Sequence, residues 1–434
     1  MFRKLILLLV APVVVGAQQM TDTTFHPITI TDAVRLARDN NVANITAANT
    51  VRSANYGVRS ARAALYPTLN ATASQSKTAG DQLGQNGTIV PFTSAWRYNT
   101  GLTSGLTLFD AGKMFSDIKS QQANVAAAEA GEVNTEFGVG LQVKLAYNSI
   151  LAAKESEAAA RAQLEAAQAQ LQTSIAKVQA GAANVSDSLR SVVQVGNAQL
   201  ALLTAQNTYR VQSAALTRLV GTPYFVTADL ADTVDHPVAP VDSAAIMQMA
   251  LAGPPIRQLE AQATAASAAQ RSAKAAYLPT ITANFNYAGN GTSAVYGLNG
   301  NPYPYSRSIG INLTYPIFNR FARENQIAAA QISYENAQAQ MKDARLGAQQ
   351  NIITDIATMR NNEEAMRVQQ QNVRASEEDL RVQQQRYNLG ASTLLDVLNS
   401  QTALVTARQA LIQARLNYRN ARAQIESVIG KDLP

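Results

Sequence analysis

The chain of 434 residues contains no cysteine, two histidines and one tryptophan. The absence of cysteine excludes disulfide bonds, zinc–thiolate sites and a cysteine nucleophile, and so few histidines leave little scope for histidine-based catalysis. The sequence also lacks a phosphate-binding glycine loop, an HExxH motif and a GxSxG motif. We therefore predict that the protein is not an enzyme and holds no metal ion or cofactor.

Long apolar runs are also missing, with one exception at the amino terminus. Arg3 and Lys4 precede an apolar run over residues 5–15, and the small residues Gly16 and Ala17 follow it. This order is typical of a secretory signal peptide, and the run is shorter than the ~18 apolar residues of a membrane-spanning helix. We expect residues 1–17 to be removed, so that an exported mature chain begins at Gln18.

Charge of one sign is not concentrated in any part of the chain. The formal net charge is +6, but acidic residues are interleaved with the basic ones. Because nucleic-acid binding requires a basic patch, we predict no nucleic-acid partner.

The sequence matches itself at an offset of about 210 residues, which indicates an internal duplication. The duplication predicts two copies of one structural unit over residues 18–221 and 241–430, joined by a linker over residues 222–240. His26 and His236 obey the same offset, and each precedes a proline, which favours a turn over a ligand role. The other matching pairs are Pro67 and Pro279, Phe109 and Phe318, Gly181 and Gly390, Tyr209 and Tyr418, and Gly221 and Gly430.

Each copy contains two segments in which apolar residues alternate with small polar ones. We predict strands at about residues 68–76 and 95–108 in the first copy, and 280–288 and 307–316 in the second. Segments of ~10 residues with one apolar and one polar face are typical of a membrane barrel with a water-filled lumen. The long polar loops over 76–93 and 288–306 are then expected to face the outside.

Five aromatic residues in these segments are candidates for a lipid-facing girdle at the membrane interface, because amphipathic rings favour that depth. Ordinary strand packing is the alternative for all of them. The candidates are Trp96, Tyr98, Phe285, Tyr287 and Tyr315.

Two proline-free stretches, residues 113–180 and 320–389, are dominated by alanine, glutamine, leucine, glutamate and arginine. These are good helix formers, and each helix would extend ~100 Å. Shorter helices are predicted over 31–66, 188–220 and 396–430. The last carries a heptad seam that predicts coiled-coil packing, with Val397, Leu404, Leu411, Tyr418 and Ile425.

Two segments resemble the TolC-like outer-membrane efflux family: QRYNLGASTLLDVL over residues 385–398 and LTLFDAG over residues 106–112. The resemblance covers essentially the whole mature chain. It implies a mainly α fold with a transmembrane β-barrel, in which a homotrimer shares 12 strands, four from each protomer. Long antiparallel coiled-coil helices would form a periplasmic tunnel.

The resemblance also implies a function, namely an outer-membrane exit duct. Its partners would be an inner-membrane transporter, a periplasmic membrane-fusion adaptor and outer-membrane lipid. The alternative is a structural trimeric coiled-coil protein of the envelope, which the amphipathic strands disfavour. Three kinds of cargo, namely drugs, metal ions and proteins, remain open at this point.

The family's two helix turns imply specific site residues in this chain. The implied adaptor docking turns contain Gly181, Ala182, Gly390 and Ala391. Where Ser392 and Asn399 stand, the family's best-known member has an arginine and a second aspartate, so we expect the closed state to be held differently. The implied periplasmic entrance constriction comprises Asp187, Tyr387, Ser392, Asp396 and Asn399.

Local structure offers a second interpretation of four of these residues. Asp187 and Asp396 are expected at the starts of returning helices, where an N-cap aspartate stabilises the helix by ~1 kcal/mol. Gly181 and Gly390 are expected to end the preceding helices in the left-handed conformation. Both interpretations are compatible with a place at the entrance.

Overall fold

The computed structural model describes residues 24–229, 243–293 and 304–433. The predicted signal peptide, His236, most of the predicted linker and residues 294–303 of the predicted loop over 288–306 lie outside these residues. The chain divides into two compact units, which are described separately. Unit 1 comprises residues up to Ile45, Thr135–Ala250 and the part from Gln349 onward, and unit 2 comprises Thr46–Asn134 and Leu251–Ala348.

The chain is mainly helical. Helices α3 and α7 have 67 residues each, as expected from their proline-free composition. No helix in the described part is long and apolar enough to cross a membrane. The helices are α1 (Ile30–Asn40), α2 (Val42–Ala63), α3 (Lys113–Gln179), α4 (Val185–Val220), α5 (Ser243–Leu251), α6 (Pro254–Lys274), α7 (Ala322–Asn388) and α8 (Leu394–Ile429).

Eight strands complete the described part of the chain. Two short ones, β1 and β6, pair in parallel in unit 1, and β3 pairs with β4 in a separate hairpin. The strands are β1 (His26–Ile28), β2 (Thr68–Ser76), β3 (Ala79–Leu83), β4 (Ile89–Thr93), β5 (Trp96–Phe109), β6 (Val226–Ala228), β7 (Thr280–Ser293) and β8 (Tyr305–Thr314).

Two of the sequence predictions about these elements are wrong. The predicted helix over 31–66 is interrupted at Asn41, which has an extended backbone and donates its amide to the Leu219 carbonyl at 2.8 Å. The predicted loop over 76–93 contains the β3–β4 hairpin, in which Leu83 lies opposite Ile89. The sequence gives little sign of this hairpin, because each of its strands has only five residues.

In unit 1 α3 packs against α4 and α8, and α8 packs against α7. The heptad seam predicted in α8 is turned inward, since Val397, Leu404, Tyr418 and Ile425 are buried while Leu411 is half-buried. Three hydrogen bonds between side chains mark the helix contacts: Ser174 to Ser191 at 3.0 Å, Asn148 to Asn420 at 3.1 Å, and Ser400 to Asp379 at 2.5 Å.

The end of the chain is fastened to unit 1 by a buried carboxylate. Glu426 accepts hydrogen bonds from Lys144 at 2.7 Å, from Arg422 at 3.0 Å and from the Leu433 backbone at 3.1 Å. A buried carboxylate is tolerated when charged donors surround it in this way. The cluster therefore connects α3, α8 and the residues that follow α8.

Unit 2 contains the four-stranded antiparallel sheet, in the order β2-β5-β7-β8. Its register places Ala71 opposite Leu102, Leu102 opposite Tyr287, and Tyr287 opposite Arg307. Because side chains alternate along each strand, this register brings the apolar alternates of all four strands to one face. A bulge between Thr107 and Phe109 keeps Phe109 opposite Ile281.

The two faces of the sheet differ sharply in composition. The apolar face includes Leu69, Ala71, Leu102, Leu106, Ile281, Ala283, Phe285, Ile309, Ile311 and Leu313. The polar face includes Asn70, Thr72, Thr103, Asn284, Asn286, Ser308 and Asn312. The alternation predicted for separate segments thus becomes a single amphipathic sheet.

The internal repeat extends to unusual backbone conformations. Ala111 and Gly112, after β5, have φ of 57° and 81°. Arg320 and Phe321, at the same repeat positions after β8, have φ of 59° and 61°. In both copies the preceding polar side chain, Asp110 or Asn319, accepts a hydrogen bond from the backbone of the starting helix. The sequence did not reveal this, since only one of the four residues is glycine.

Candidate functional site

The two turns that join the long helices to the returning helices have the same backbone design. Gly181 and Gly390 have φ of 71° and 76°, so the predicted left-handed helix ends are confirmed. In each turn the next residue closes a hydrogen bond back to the helix, as in a Schellman motif. These bonds run from Ala182 N–H to the Lys177 carbonyl and from Ala391 N–H to the Arg386 carbonyl, both at 2.8 Å.

The glycines are required by the positive φ of the backbone and not by crowding around their Cβ positions. A Cβ atom added to Gly181 or Gly390 would meet no other atom within 4 Å. Each turn therefore presents a surface over the glycine that the chain's own side chains leave open.

We expect Gly390→Ala to lower the free energy of unfolding by about 1 kcal/mol, because alanine is strained at positive φ. Gly347→Ala is the matched control, since Gly347 lies inside α7 with open space around its Cβ position. Alanine there should raise the free energy of unfolding by about 0.5–1 kcal/mol. Denaturant melts of the purified protein measure both, and equal effects of one sign would contradict the assignment.

The N-cap interpretation of Asp187 and Asp396 is wrong. Helices α4 and α8 begin earlier than residues 188 and 396, and their caps are Asn184 and Thr393. Asparagine and threonine are both favourable N-cap residues, and here each helix is capped three residues before its aspartate. Asp187 and Asp396 therefore occupy equivalent positions, each being the third residue of its helix.

Asp396 completes a capping box with Thr393. Its carboxylate accepts the Thr393 hydroxyl at 2.7 Å and the Thr393 backbone N–H at 2.9 Å. The Thr393 side chain, the Thr393 backbone N–H and the nearby Arg386 lower the pKa of Asp396. This exposed carboxylate is thus ionised at neutral pH and carries its charge at the surface of the turn.

Tyr387 lies inside and not at the surface. Its side chain is 6% exposed and packs with Leu394 and Val397. Its hydroxyl oxygen is buried and has no hydrogen-bond partner within the described residues. Tyr387 consequently fastens the second turn through packing rather than through its hydroxyl.

Lys177 joins the two turns, and sequence reasoning missed it. Its ammonium lies 3.6 Å from the centre of the Tyr387 ring and donates to the Tyr387 carbonyl at 2.5 Å. That carbonyl belongs to the last turn of α7, where the helix dipole favours a cation. Partial burial lowers the pKa of Lys177. The relevant signal was a lysine in the last turn of α3, but the fold alone reveals its partner.

The remaining predicted entrance residues are placed as follows. Ser392 is half-buried and donates to the Gln383 carbonyl at 3.3 Å, so it closes its own turn. Asn399 is exposed and Asp187 is half-exposed. The structure thus brings the second turn to the first through Lys177 and Tyr387.

The predicted girdle residues lie in or beside the sheet. The register places Trp96, Tyr98, Phe285 and Tyr287 on the apolar face, and Tyr315 follows β8. Tyr98 is only 3% exposed, so its own chain covers it. Among the described residues no group of three acidic, histidine or cysteine side chains could hold a metal ion.

Comparisons with known proteins agree with this architecture. The family model described as outer membrane efflux protein matches residues 33–222 and 246–431. CyaE of Bordetella pertussis is 26% identical over 385 residues, which cover 85% of this chain and 77% of CyaE. TolC of Vibrio cholerae is 22% identical over 386 residues, which cover 86% of this chain and 84% of TolC.

A solved structure shows the same fold. The crystal structure of CusC superimposes with a TM-score of 0.76 at 19% sequence identity, covering 95% of this chain and 96% of CusC. The duplication, the amphipathic sheet and the paired helix turns are thus features of a known architecture. The chain belongs to the outer membrane efflux protein family, and it is an export channel of the outer membrane and not an enzyme.

Proposed function

We propose that three copies of the chain close one channel, with their sheets joined into a 12-stranded barrel and their helices forming a tunnel in the periplasm. The observation that carries this proposal is the four-stranded sheet with one apolar face, one polar face and two unpaired edges. The apolar face meets lipid and the polar face lines a water-filled lumen. A fibrous envelope protein would have no use for such a sheet.

The sheet edges explain why several copies are needed. Strands β2 and β8 lie at the two edges, so their outer backbone groups lack partners within the sheet. In lipid each unsatisfied backbone group costs several kcal/mol, which favours pairing β2 of one copy with β8 of the next.

The helices support the same closure. Along α4 an exposed apolar stripe runs with helical spacing, through Leu189, Val193, Leu200 and Leu203. An exposed stripe of this kind marks an interaction surface, and we assign it to a helix of the neighbouring copy.

The helix turns form the periplasmic entrance. Threefold symmetry would arrange Asp187 and Asp396 as two rings of carboxylates, which attract cations. Lys177 holds the entrance narrow by tying the second turn to the first. The open surfaces over Gly181, Ala182, Gly390 and Ala391 receive a periplasmic adaptor, which connects the channel to an inner-membrane pump.

The lumen of the barrel adds little selection by charge. The four strands contain no acidic residue, and on their polar face Arg97 is the one charged side chain. A neutral, amide-lined lumen suits a duct shared by different cargo, so selection is left to the entrance and the pump.

Engineered cysteine pairs test the closure, and the natural chain contributes no background thiols. One cysteine replaces Asn70 on edge strand β2, and a second is moved along the polar face of edge strand β8, through Ser308 and Asn312. Oxidation in membranes should give covalent dimers and trimers on denaturing gels for at least one pair.

The control pair is Thr103→Cys with Asn286→Cys, which lie opposite each other within one sheet. Oxidation should leave this variant a monomer on the gel. Edge pairs that yield only monomers, or ladders that continue beyond trimers, would show that the barrel is not closed by three copies.

A further inference from the structure

Arg307 stands on the apolar face of the sheet, where a charge is out of place. It lies opposite Tyr287, and its neighbours on the same face of β8 are Tyr305 and Ile309. The side chain is exposed, and the four strands contain no acidic residue that could balance it. Any anionic partner of Arg307 must therefore come from outside the sheet.

The position of Arg307 along β8 matches the edge of the apolar band. Ile309, Ile311 and Leu313 follow it on the same face, and Tyr315 comes directly after the strand. From Arg307 to Tyr315 the tilted strand rises ~20 Å, close to the ~25 Å height of the lipid-facing band of outer-membrane barrels. A lipid-facing arginine is costly at the middle of a bilayer and nearly free at its interface, so Arg307 belongs at the interface.

Aromatic rings surround this position. The rings of Tyr287 and Tyr305 stack at 5.0 Å between centroids and 5° between planes. Gly289 allows this arrangement, because a Cβ there would come within 2.5 Å of the Tyr305 ring. Stacked tyrosines at the rim hold the surrounding surface rigid and amphipathic, as is typical of an interfacial belt.

Arg307 lies near the end of the sheet at which β5 and β8 begin. Lys77 follows β2 at the same end, but it is six residues beyond Ala71, and Ala71 shares the register level of Arg307. Lys77 is therefore roughly 20 Å farther along the strands and at the opposite edge of the sheet, so it cannot bind the same phosphate. This end is the one away from α3 and α7, which begin just after β5 and β8.

We propose that Arg307 binds the phosphate of a membrane lipid head group in the leaflet farthest from the periplasmic helices. The inference rests on the proposed function, since it requires the apolar face to meet lipid. A guanidinium is suited to the task because its fork of donors binds phosphate oxygens in pairs. The ligand class is a phosphorylated lipid, and diphosphorylated lipid A is the probe.

The test compares lipid binding by the purified, detergent-solubilised full chain and two variants, by native mass spectrometry across a titration of lipid A. Loss of a charged hydrogen bond to phosphate should weaken binding about tenfold in Arg307→Gln. Arg97→Gln is the matched control, since Arg97 is an exposed arginine on the polar face at the same end of the sheet. It should bind lipid A as the unchanged protein does.

Two further probes separate the possible sources of phosphate. Lipid A stripped of its phosphates should bind the unchanged protein no better than lipid A binds the Arg307→Gln variant. Inorganic phosphate that displaces lipid A completely at equal concentration would show a simple anion site and overturn the proposal. Equal binding by Arg307→Gln and the unchanged protein would overturn it as well.

The outcome is distinguishable from a failure of the proposed function. If the edge-strand cysteines form trimers and the protein conducts ions, but lipid binding is independent of Arg307, only this inference fails. If the edge strands never crosslink and no channel forms, the proposed function fails first.

Discussion

Replacing Lys177 by methionine is expected to open the entrance and to raise the single-channel conductance of the reconstituted protein severalfold. The ammonium is the group that ties the first turn to the second, through the Tyr387 ring and the Tyr387 carbonyl. A partly desolvated cation–π contact is worth ~1–2 kcal/mol, so its loss should shift the balance toward the open state about 5- to 30-fold in each copy. Planar bilayer recordings measure this directly.

Two controls distinguish loss of the contact between Lys177 and Tyr387 from general damage to the protein. Lys119→Met removes an exposed lysine elsewhere on α3 and should leave conductance unchanged. Tyr387→Leu removes the ring but keeps the backbone carbonyl, so it should open the entrance only in part. If the Lys177→Met variant folds, inserts and conducts as the unchanged protein does, Lys177 does not hold the entrance narrow.

Neutralising Asp187 and Asp396 together is expected to abolish the cation preference of the channel. Asparagine is the replacement, since its side-chain oxygen can keep the capping bond that Asp396 makes with Thr393 while removing the charge. With two carboxylates from each of three copies removed, the reversal potential in a potassium chloride gradient should move to near zero. Asp39→Asn, an exposed aspartate on α1, should leave the reversal potential unchanged.

The pH dependence follows from the direction of the Asp396 shift. Its pKa is lowered in the folded protein, so the charge and the stabilisation by the capping box are present above the ordinary value of 3.8. Both are lost as the pH falls below that value. The unchanged channel should therefore keep its cation preference in mildly acidic solution, and loss of selectivity well above 3.8 would contradict a role for Asp396.

The sequence predicted the features that depend on repetition along the chain. Alternation over four segments located the strands of the sheet, and the absence of proline located α3 and α7. The pairing of Leu102 with Tyr287 then placed the apolar residues of all four strands on one face. These features are periodic, so many residues contribute to each of them and single exceptions matter little.

Features decided by one or two residues escaped the sequence. The N-caps are Asn184 and Thr393 and not the aspartates, because each turn contains more than one residue that can cap a helix. Arg320 and Phe321 adopt positive φ although neither is glycine. Lys177 meets Tyr387 across more than 200 residues of chain, and no local pattern carries that information.

The central claim is that alternate residues of the sheet face lipid and water. Spin labels on single cysteines at Phe285 and Ile309, and at Asn286 and Ser308, test it in lipid vesicles. We predict that oxygen, which concentrates in lipid, relaxes the first pair strongly, while a water-soluble nickel chelate relaxes the second pair. Equal access of the nickel chelate to all four positions in vesicle-bound protein would contradict the account.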